Sequence, residues 1–383
     1  MTNRERFRAV LGRESYDRMP CINFGYWPDL LEKWAAQGHI ERPAAGREAE
    51  GNANEDEQIA RRLGFDYNLL VRLTADQPDR GTANGASNLT PEFEPKLVRR
   101  HPDGAQERLS YYGTVELHKP DIVSAVRQET EFLLKDRASW EKLFLPRLQF
   151  DPANIPAWHI AQAKRLAQDD YPVGIRGGSL FGQIRNMLGL ENLSYMQYDD
   201  PDLYDEIIRT VGECVCRTVE YMLGTGIEWD YVMLWEDICY NNGPLISPEL
   251  FREKVGPFCR RICDLMAEHG VRVAIVDCDG DISALLPTWV ENGINTMFPI
   301  EVGTWGGSYA RMHERYGARV SGIGGMNKEL FTTDKGQIDR ELERLRRIAE
   351  LGGYIPCPDH ALVPDSKWEL VQYYTDRFRT VFG

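Results

Sequence analysis

The feature that most constrains the fold of this chain is a regular alternation between short apolar runs and longer amphipathic segments. The apolar runs have the length of β-strands, and they lie at residues 18–24, 65–73, 171–177, 230–236, 271–277, 295–299, 319–324 and 353–356. Helical patterns lie at residues 3–11, 202–225, 248–269, 282–292, 306–316 and 334–351. Strands that alternate with helices favour a parallel α/β architecture, and we predict a single (β/α)8 domain, a TIM barrel, over residues 1–383.

The segment 84–135 interrupts this alternation. The run from Lys96 to Tyr112 has the pattern of a β-hairpin, with Asp103 and Gly104 at its turn. A hairpin is antiparallel and does not fit the parallel sheet of a barrel. We therefore predict an antiparallel hairpin insertion at about 84–135, within the barrel domain.

Charge, hydropathy and cysteine content exclude several classes of function. The net charge of −14 disfavours nucleic acids and anionic membranes as partners. No run approaches the ~18 apolar residues of a membrane helix, and the charged start at Met1 is not a signal segment, so we expect a cytoplasmic protein. The eight cysteines lack the spacing of a disulfide framework, and most are expected to be free and buried.

Two carboxylates end the fifth predicted strand. Asp277 and Asp279 lie two residues apart, so a strand that continued through both would turn them to the same side. Such a pair is tolerated if a cation lies between them, if one keeps a proton, or if water reaches both. The run 352–360 presents Cys357 and His360 at the end of the eighth strand. If the fold brings the two runs together, they form a site of carboxylate, thiolate and imidazole.

Other residues at the strand ends extend this candidate site, because chemistry in a barrel occurs where the strands end. We assign catalysis to Glu236 and His360, which follow the fourth and eighth strands. The candidate substrate-binding residues lie at or after the first, third and fourth strands, and they are Asn23, Tyr26, Trp27, Arg176, Ser179, Phe181 and Trp235. Residues 22–27 contain no arginine, so we expect a pocket lined mainly by aromatic and carboxylate groups that suits a neutral or weakly polar small molecule.

Several motifs, by their order and spacing, resemble the uroporphyrinogen decarboxylase-like superfamily along nearly the whole chain. They are Asp17-Arg-x-Pro20, the Gly-Ser-x-Phe-Gly loop at 178–182, Gly189-Leu-Glu-Asn-Leu193, the Ile-Ser-Pro-Glu-Leu-Phe run at 246–251, Asp279-Gly-Asp-Ile282 and Gly352-Gly-Tyr-Ile-Pro356. The resemblance implies a (β/α)8 barrel with one of two activities. One is cofactor-free porphyrinogen decarboxylation, and the other is zinc-dependent methyl transfer to or from a cobalamin carried on a partner protein.

Two departures distinguish the branches of this superfamily. The decarboxylase branch carries an Arg-Gln-Ala-Gly-Arg run that holds substrate carboxylates, whereas residues 22–27 contain no arginine here. The methyltransferase branch carries His-x-Cys after strand five and a cysteine near strand eight. Cys357 matches the latter, and Asp277 and Asp279 lie where His-x-Cys would be. The resemblance therefore implies that Asp277, Asp279 and Cys357 bind zinc or another divalent metal.

We thus expect a metal-dependent methyltransferase of the O-demethylase type, which passes a methyl group from a small, for example methoxy-aromatic, substrate to a corrinoid protein. Glu236 or His360 would complete the metal site. The chain lacks the Asp-x-His-x-x-Gly run by which cobalamin domains ligate cobalt, so cobalamin would be supplied by a partner protein. Two alternatives stay open. One is a cofactor-free decarboxylase of a small carboxylated substrate, with Asp277 or Asp279 as proton donor, and the other is a binding protein.

Overall fold

A computed structural model describes residues 1–41, 53–70, 88–119, 128–155, 157–303 and 305–383, with side chains from residue 56 onward in the second range. The strands in these ranges are β1 (Ile22–Asn23), β2 (Tyr67–Asn68), β3 (Lys96–Arg100), β4 (Gln106–Leu109), β5 (Thr114–His118), β6 (Gln128–Phe132), β7 (Gly174–Gly178), β8 (Tyr231–Trp235), β9 (Cys239–Tyr240), β10 (Gly243–Pro244), β11 (Val273–Asp277), β12 (Thr296–Ile300), β13 (Ser321–Met326) and β14 (Tyr354–Pro358).

The α-helices in the same ranges are α1 (Asn3–Leu11), α2 (Pro28–Ala36), α3 (Ala53–Leu63), α4 (Arg137–Ser139), α5 (Ala157–Leu166), α6 (Gly182–Asp199), α7 (Pro201–Leu223), α8 (Pro248–Lys254), α9 (Gly256–Glu268), α10 (Leu286–Glu291), α11 (Tyr309–Tyr316), α12 (Lys335–Ala349) and α13 (Trp368–Phe382). Short 3-10 turns lie at Leu145–Leu148, Pro152–Asn154, Ile282–Ala284, Gly317–Arg319 and Lys328–Thr332, and a π-helical turn lies at Trp140–Phe144. None of the helices in the described ranges is long and apolar enough to cross a membrane.

The barrel is built from parallel strands. Six of them form one sheet in the order β14-β13-β12-β11-β8-β7, and β1 pairs with β2 in a second parallel sheet. A parallel bridge between Tyr26 and Leu362 joins the chain after β1 to the chain after β14. The predicted (β/α)8 barrel is confirmed, and each predicted strand overlaps one of these eight. The second predicted strand extended to Leu73, which lies outside the described residues.

The sequence forms these strands because their residues are apolar on both faces. All five residues of β8 and all five of β12 are buried, as expected where helices cover one face and the barrel interior packs against the other. The helices bury a single face. In α12, the side chain of Asp334 caps the amino end, and Ile338, Leu342 and Leu345 are buried at helical spacing.

Helix α1 covers the amino-terminal face of the barrel. Phe7 packs against Tyr231 at the start of β8, with ring centroids 5.4 Å apart. The side chain of Arg4 donates from Nε to the carboxylate of Asp230 at 3.0 Å, and Asp230 also accepts the N–H of Val173 at 2.7 Å. The covered face leaves chemistry to the opposite face, where the strands end. We call that carboxyl-terminal face the barrel mouth.

The insertion is a four-stranded antiparallel sheet in the order β3-β4-β5-β6. The predicted hairpin is its first strand pair, and the structure adds β5 and β6. The ring of Phe132 in β6 lies 2.4 Å from where a Cβ on Gly189 would be, and Gly189 takes a φ of 71° at the kink in α6. The predicted boundary at Asn84 and residues 120–127 lie outside the described residues.

Helix boundaries differ from the prediction where proline and glycine interrupt the chain. The segment 248–269 forms two helices, α8 and α9, because Pro257 lacks the N–H that a continuous helix needs. Helix α6 was not predicted, because Gly182 and Gly189 both argue against a helix in the sequence. All eight cysteines are free thiols, and all but Cys263 are buried.

Candidate active site

The loops that follow β11 and β14 bring Asp279 and His360 together. Nε2 of His360 lies 3.4 Å from Oδ2 of Asp279, and the two side chains are 21% and 33% exposed. Burial opposes the charged form of His360, but the negative charge and hydrogen bond of Asp279, together with the charge of Glu301, raise the His360 pKa. For Asp279, burial alone would raise the pKa, and the positive charge of His360 lowers it. Each residue of the pair therefore favours the charged form of the other at the barrel mouth.

Aromatic rings fix the orientation of His360. The ring of Phe24 stacks on the His360 ring with centroids 4.5 Å apart and planes inclined by 25°. Trp27 lies nearly parallel to the same imidazole at 6.0 Å, and Phe298 of β12 stacks on Phe24 at 5.1 Å. Faces of aromatic rings attract cations, so this environment also favours the protonated imidazole.

A second carboxylate lies beside this pair. The backbone N–H of Asp279 donates to Oδ1 of Asp237 at 3.0 Å. Burial, followed by the negative charge of Asp279, raises the pKa of Asp237, and the guanidinium of Arg185 opposes this rise. Arg185 also donates to the backbone carbonyl of Asp237 and lies over the Trp235 ring, 5.4 Å from its centroid. Asp237 therefore keeps its proton to a higher pH than an ordinary aspartate.

A buried ion pair lies beside the loop that carries Asp279. Nζ of Lys328 lies 3.3 Å from Oε1 of Glu301, and the side chains are 10% and 6% exposed. The other Glu301 oxygen accepts the N–H of Gly280, next to Asp279, at 3.3 Å. Burial and then the charge of Asp279 raise the Glu301 pKa, whereas Lys328 lowers it. We refer to Asp237, Asp279, Glu301, Lys328 and His360 together as the mouth cluster.

Asp359 holds the loops of this cluster in place. Its side chain is fully buried. One carboxylate oxygen accepts the N–H of Lys328 at 2.9 Å, and the other accepts the N–H groups of Val302 and Gly303 at 2.9 and 3.0 Å. A single carboxylate thus joins the loops after β12, β13 and β14, immediately before His360.

Glu236 is engaged in backbone hydrogen bonds, which differs from the catalytic role that we predicted for it. Its two oxygens accept the backbone N–H groups of Leu180, Phe181 and Gly182, where α6 begins. Burial raises its pKa to about 7, although these hydrogen bonds lower it. Because both oxygens are engaged, Glu236 positions the loop before α6, and its catalytic assignment stays a prediction.

The predicted substrate-binding aromatics occupy two environments. Trp27 and Trp235 belong to the barrel mouth, beside His360 and Arg185 respectively. Tyr26 instead packs edge-on against Trp34 of α2 at 5.7 Å. Phe181 packs edge-on against a tyrosine of α7 at 6.5 Å. The last two rings are buried against helices.

The three polar candidates differ as well. Asn23 is 1% exposed, and neither atom of its amide has a hydrogen-bond partner in the described part of the chain. Ser179 is buried, and its Oγ accepts the N–H of Gln183 at 2.8 Å, so it stabilises the start of α6. Arg176 is half-buried within β7.

The predicted metal ligands do not form a set. Strand β11 ends at Asp277, so the period of two that would align Asp277 with Asp279 no longer applies. Cys357 is fully buried in β14. Burial, followed by the charge of Asp359 and then Cys21, raises the pKa of its thiol. Across the described ranges, no three histidine, cysteine or acidic side chains are arranged to hold a metal ion. The predicted donors therefore do not fit zinc, and we derive no chemistry from a metal.

Sequence reasoning assigned no role to several groups of this site. Asp237 is recognisable as a residue at the end of a strand, whereas Glu301 and Lys328 were not considered, although each follows a barrel strand directly or by one residue. Only the fold reveals the proximity of the three charged groups. Phe24 follows β1 in the same way.

A comparison with protein-family models finds one for uroporphyrinogen decarboxylase (URO-D), which matches residues 157–381. The chain belongs to this family. The match to uroporphyrinogen decarboxylase runs through α13 and includes the whole mouth cluster, whereas Phe24 and Trp27 precede it.

A comparison with solved structures finds the same fold in a methyltransferase. A methyltransferase from Methanosarcina mazei superimposes with a TM-score of 0.58 at 14% identity, and the alignment covers 99% of each chain. A protein from Listeria monocytogenes, described as a vitamin-B12-independent methionine synthase, aligns over 61% of this chain and 71% of its own at 14% identity, with a TM-score of only 0.38. A comparison with curated proteins finds no match.

Proposed function

We propose that this chain transfers a methyl group from the oxygen of a small methoxylated compound to a reduced corrinoid carried by a partner protein. The observation that carries the proposal is the His360–Asp279 pair at the barrel mouth. The fold shared with the Methanosarcina mazei methyltransferase along 99% of both chains is consistent with this reaction class.

The reaction needs help at oxygen. When the methyl carbon leaves, both electrons of its bond to oxygen stay on that oxygen, and an alkoxide or phenolate is a poor leaving group. A positioned general acid that protonates the oxygen contributes roughly 10²–10⁴ to the rate. The nucleophile that accepts the methyl group is supplied by the corrinoid of the partner protein.

His360 is suited to be this acid. Its Nε2 faces Asp279, and Nδ1 makes no hydrogen bond to a described residue, so Nδ1 of the protonated ring is the nitrogen that can donate to a substrate. Asp279 keeps the ring charged until the proton is transferred, because it raises the His360 pKa. The stacked rings of Phe24 and Trp27 limit rotation of the imidazole and offer apolar surface to a methoxy-aromatic ring.

The test mixes the full chain with reduced corrinoid protein and candidate methoxy-aromatic compounds, and follows the change in corrinoid absorbance on methylation. We expect methylation that depends on all three components and that is lost in a His360→Gln variant. The matched control is His269→Gln, since His269 is exposed at the end of α9. Demethylation of the methoxy compound at the same rate without any corrinoid would contradict the proposal.

A second candidate is decarboxylation of a small carboxylated compound. The observation in its favour is the raised pKa of Asp237, which keeps a protonated carboxyl at the barrel mouth. Asp279, one of the two proton donors expected from the sequence, is unsuited because His360 lowers its pKa. Release of carbon dioxide without corrinoid, abolished in Asp237→Asn, would favour this candidate over methyl transfer.

A further inference from the structure

Lys328 is a cation enclosed at the barrel mouth. It begins the 3-10 turn after β13, and it is 8% exposed. Lysine is almost never this buried unless its charge is paired. Its burial therefore calls for a reason, either in the architecture of the barrel or in the chemistry of the site.

The turn that carries Lys328 does not depend on the charge of its side chain. The backbone N–H of Lys328 donates to Asp359 at 2.9 Å, and the side chain of Asn327 caps the turn by accepting the N–H of Glu329 at 3.0 Å. These contacts need no particular side chain at position 328. A neutral apolar side chain would satisfy the same turn without the cost of burying an ammonium group.

The charge of Lys328 is paired incompletely. Nζ lies 3.3 Å from Oε1 of Glu301, whereas strong charge-assisted N–H···O bonds are about 2.7–2.9 Å long. An ammonium group has three N–H donors, and Glu301 is the one acceptor that the described residues place within hydrogen-bond distance of it. Lys328 can therefore donate a hydrogen bond to a further acceptor.

Lys328 lies close to the Asp279–His360 pair through its contact with Glu301. The positive charge of Lys328 acts on both Asp279 and His360, because it lowers the pKa of each. Glu301 connects Lys328 to the same loop through the N–H of Gly280, next to Asp279. The ammonium group of Lys328 and the proposed acid His360 are thus connected through the contacts of Glu301, Gly280 and Asp279.

We propose that Lys328 binds an anionic oxygen of the substrate, and that the substrate of this site is a methoxylated compound that also bears a carboxylate. A substrate carboxylate supplies the acceptor that the ammonium group lacks. It also places a negative charge near His360, whose partner Asp279 lies next to the Gly280 N–H that Glu301 accepts. This inference rests on the proposed function for the methoxy group only, and it replaces the neutral substrate expected from the sequence.

A purely structural lysine makes different predictions from a substrate-binding one. If Lys328 only neutralises Glu301, removing either partner destabilises the protein and leaves ligand preference unchanged. If Lys328 binds a carboxylate, Glu301 competes with that carboxylate for the same ammonium group. Removal of the Glu301 charge should then strengthen carboxylate binding, whereas removal of the Lys328 charge should weaken it.

The test is calorimetric titration of the full chain, without any corrinoid protein, with 4-methoxybenzoate and with 4-methoxybenzyl alcohol. We expect the wild type to prefer the carboxylate by about tenfold or more. Lys328→Met should lose this preference, Lys328→Arg should retain it, and Glu301→Gln should bind the carboxylate more tightly than the wild type does. Circular dichroism verifies that each variant is folded.

Several outcomes would overturn the inference. They are equal affinity of the wild type for the two compounds, absence of binding by any of the three methoxybenzoate isomers, and a preference that survives in folded Lys328→Met. If Lys328→Met fails to fold, Glu301→Gln decides alone, since weaker or unchanged carboxylate binding contradicts the inference. Because no methyl transfer is measured, failure here leaves the proposed reaction to its own assay.

Discussion

Nε2 of His360 lies 3.4 Å from Oδ2 of Asp279, although the two residues follow barrel strands that are not neighbours in the sheet. The carboxylate raises the pKa of the imidazole and the imidazole lowers that of the carboxylate, so each stabilises the charged form of the other. The pair lies at the mouth of a barrel whose opposite face is covered by α1, where we propose that His360 donates a proton.

Replacement of Asp279 by asparagine should lower the His360 pKa. His360 donates a proton only below its pKa, so the alkaline limb of the pH–rate profile should move to lower pH. The rate at neutral pH should fall roughly 10- to 100-fold. NMR titration of the His360 ring measures the pKa directly. The control is Asp281→Asn, because Asp281 only caps the turn at Ser283. An unchanged His360 pKa in Asp279→Asn would contradict this account.

Glu236 should give the protein a pH-dependent stability of the opposite sign from that of most carboxylates. Burial raises its folded-state pKa from 4.5 to about 7. The contribution of this shift to the free energy of unfolding is fully present below pH ~4.5. It is lost as the pH rises through ~7, and its size is on the order of 3 kcal/mol. In urea unfolding, Glu236→Gln should flatten the dependence of unfolding free energy on pH between about 4.5 and 7. The control Glu253→Gln should not, because Glu253 is exposed on α8. An identical pH dependence in wild type and Glu236→Gln would refute the assignment.

Asp359 should be important for stability as well as for activity. Asparagine keeps one acceptor oxygen and replaces the other with an NH2 group. That NH2 group would face a backbone N–H that now donates to Asp359, and two donors cannot form a hydrogen bond with each other. We expect Asp359→Asn to lose about 2–4 kcal/mol of unfolding free energy. The matched substitution is Asp365→Asn, whose side chain is 85% exposed in the native chain. Equal stability of the two variants, measured by urea unfolding, would show that the loops after β12, β13 and β14 do not depend on Asp359.

The sequence predicts the barrel well because its determinants are local. Each buried parallel strand needs an apolar run, as in β8 and β12, and each run is recognisable by itself. The same reasoning places Trp27, Trp235, Asp279 and His360 at strand ends. It fails for Asp277 with Asp279, because the assumption that the strand continues past Asp277 is wrong.

The charges of the site could not be predicted in this way. The absence of arginine from residues 22–27 suggested a pocket lined mainly by aromatic and carboxylate groups. In the structure, Lys328 arrives from the loop after β13 and Arg185 from α6, which the sequence did not predict as a helix. Their approach to the carboxylates depends on loop conformations fixed by contacts such as those of Asp359, and these have no signature in the sequence.

The two accounts of Cys357 can be separated by metal analysis. Since the predicted donors do not converge, we expect Cys357→Ser to leave the metal content of protein purified without chelator unchanged. Methyl transfer should persist, with a modest loss of stability from a polar atom in a buried position. Cys259→Ser, also fully buried, is the control for packing. Stoichiometric zinc in the wild type that is lost only in Cys357→Ser would restore the metal site expected from the sequence.

The most direct test of the central claim is the rate of methyl transfer to reduced corrinoid protein from two methyl ethers with different leaving groups. 4-Methoxybenzoate leaves as a basic phenolate and needs protonation, whereas 4-methoxy-3-nitrobenzoate leaves as a stabilised phenolate. We predict that His360→Gln slows transfer from 4-methoxybenzoate roughly 10²- to 10⁴-fold and changes transfer from 4-methoxy-3-nitrobenzoate little. Equal slowing of both ethers, or no corrinoid-dependent transfer by the wild type, would contradict the role assigned to His360.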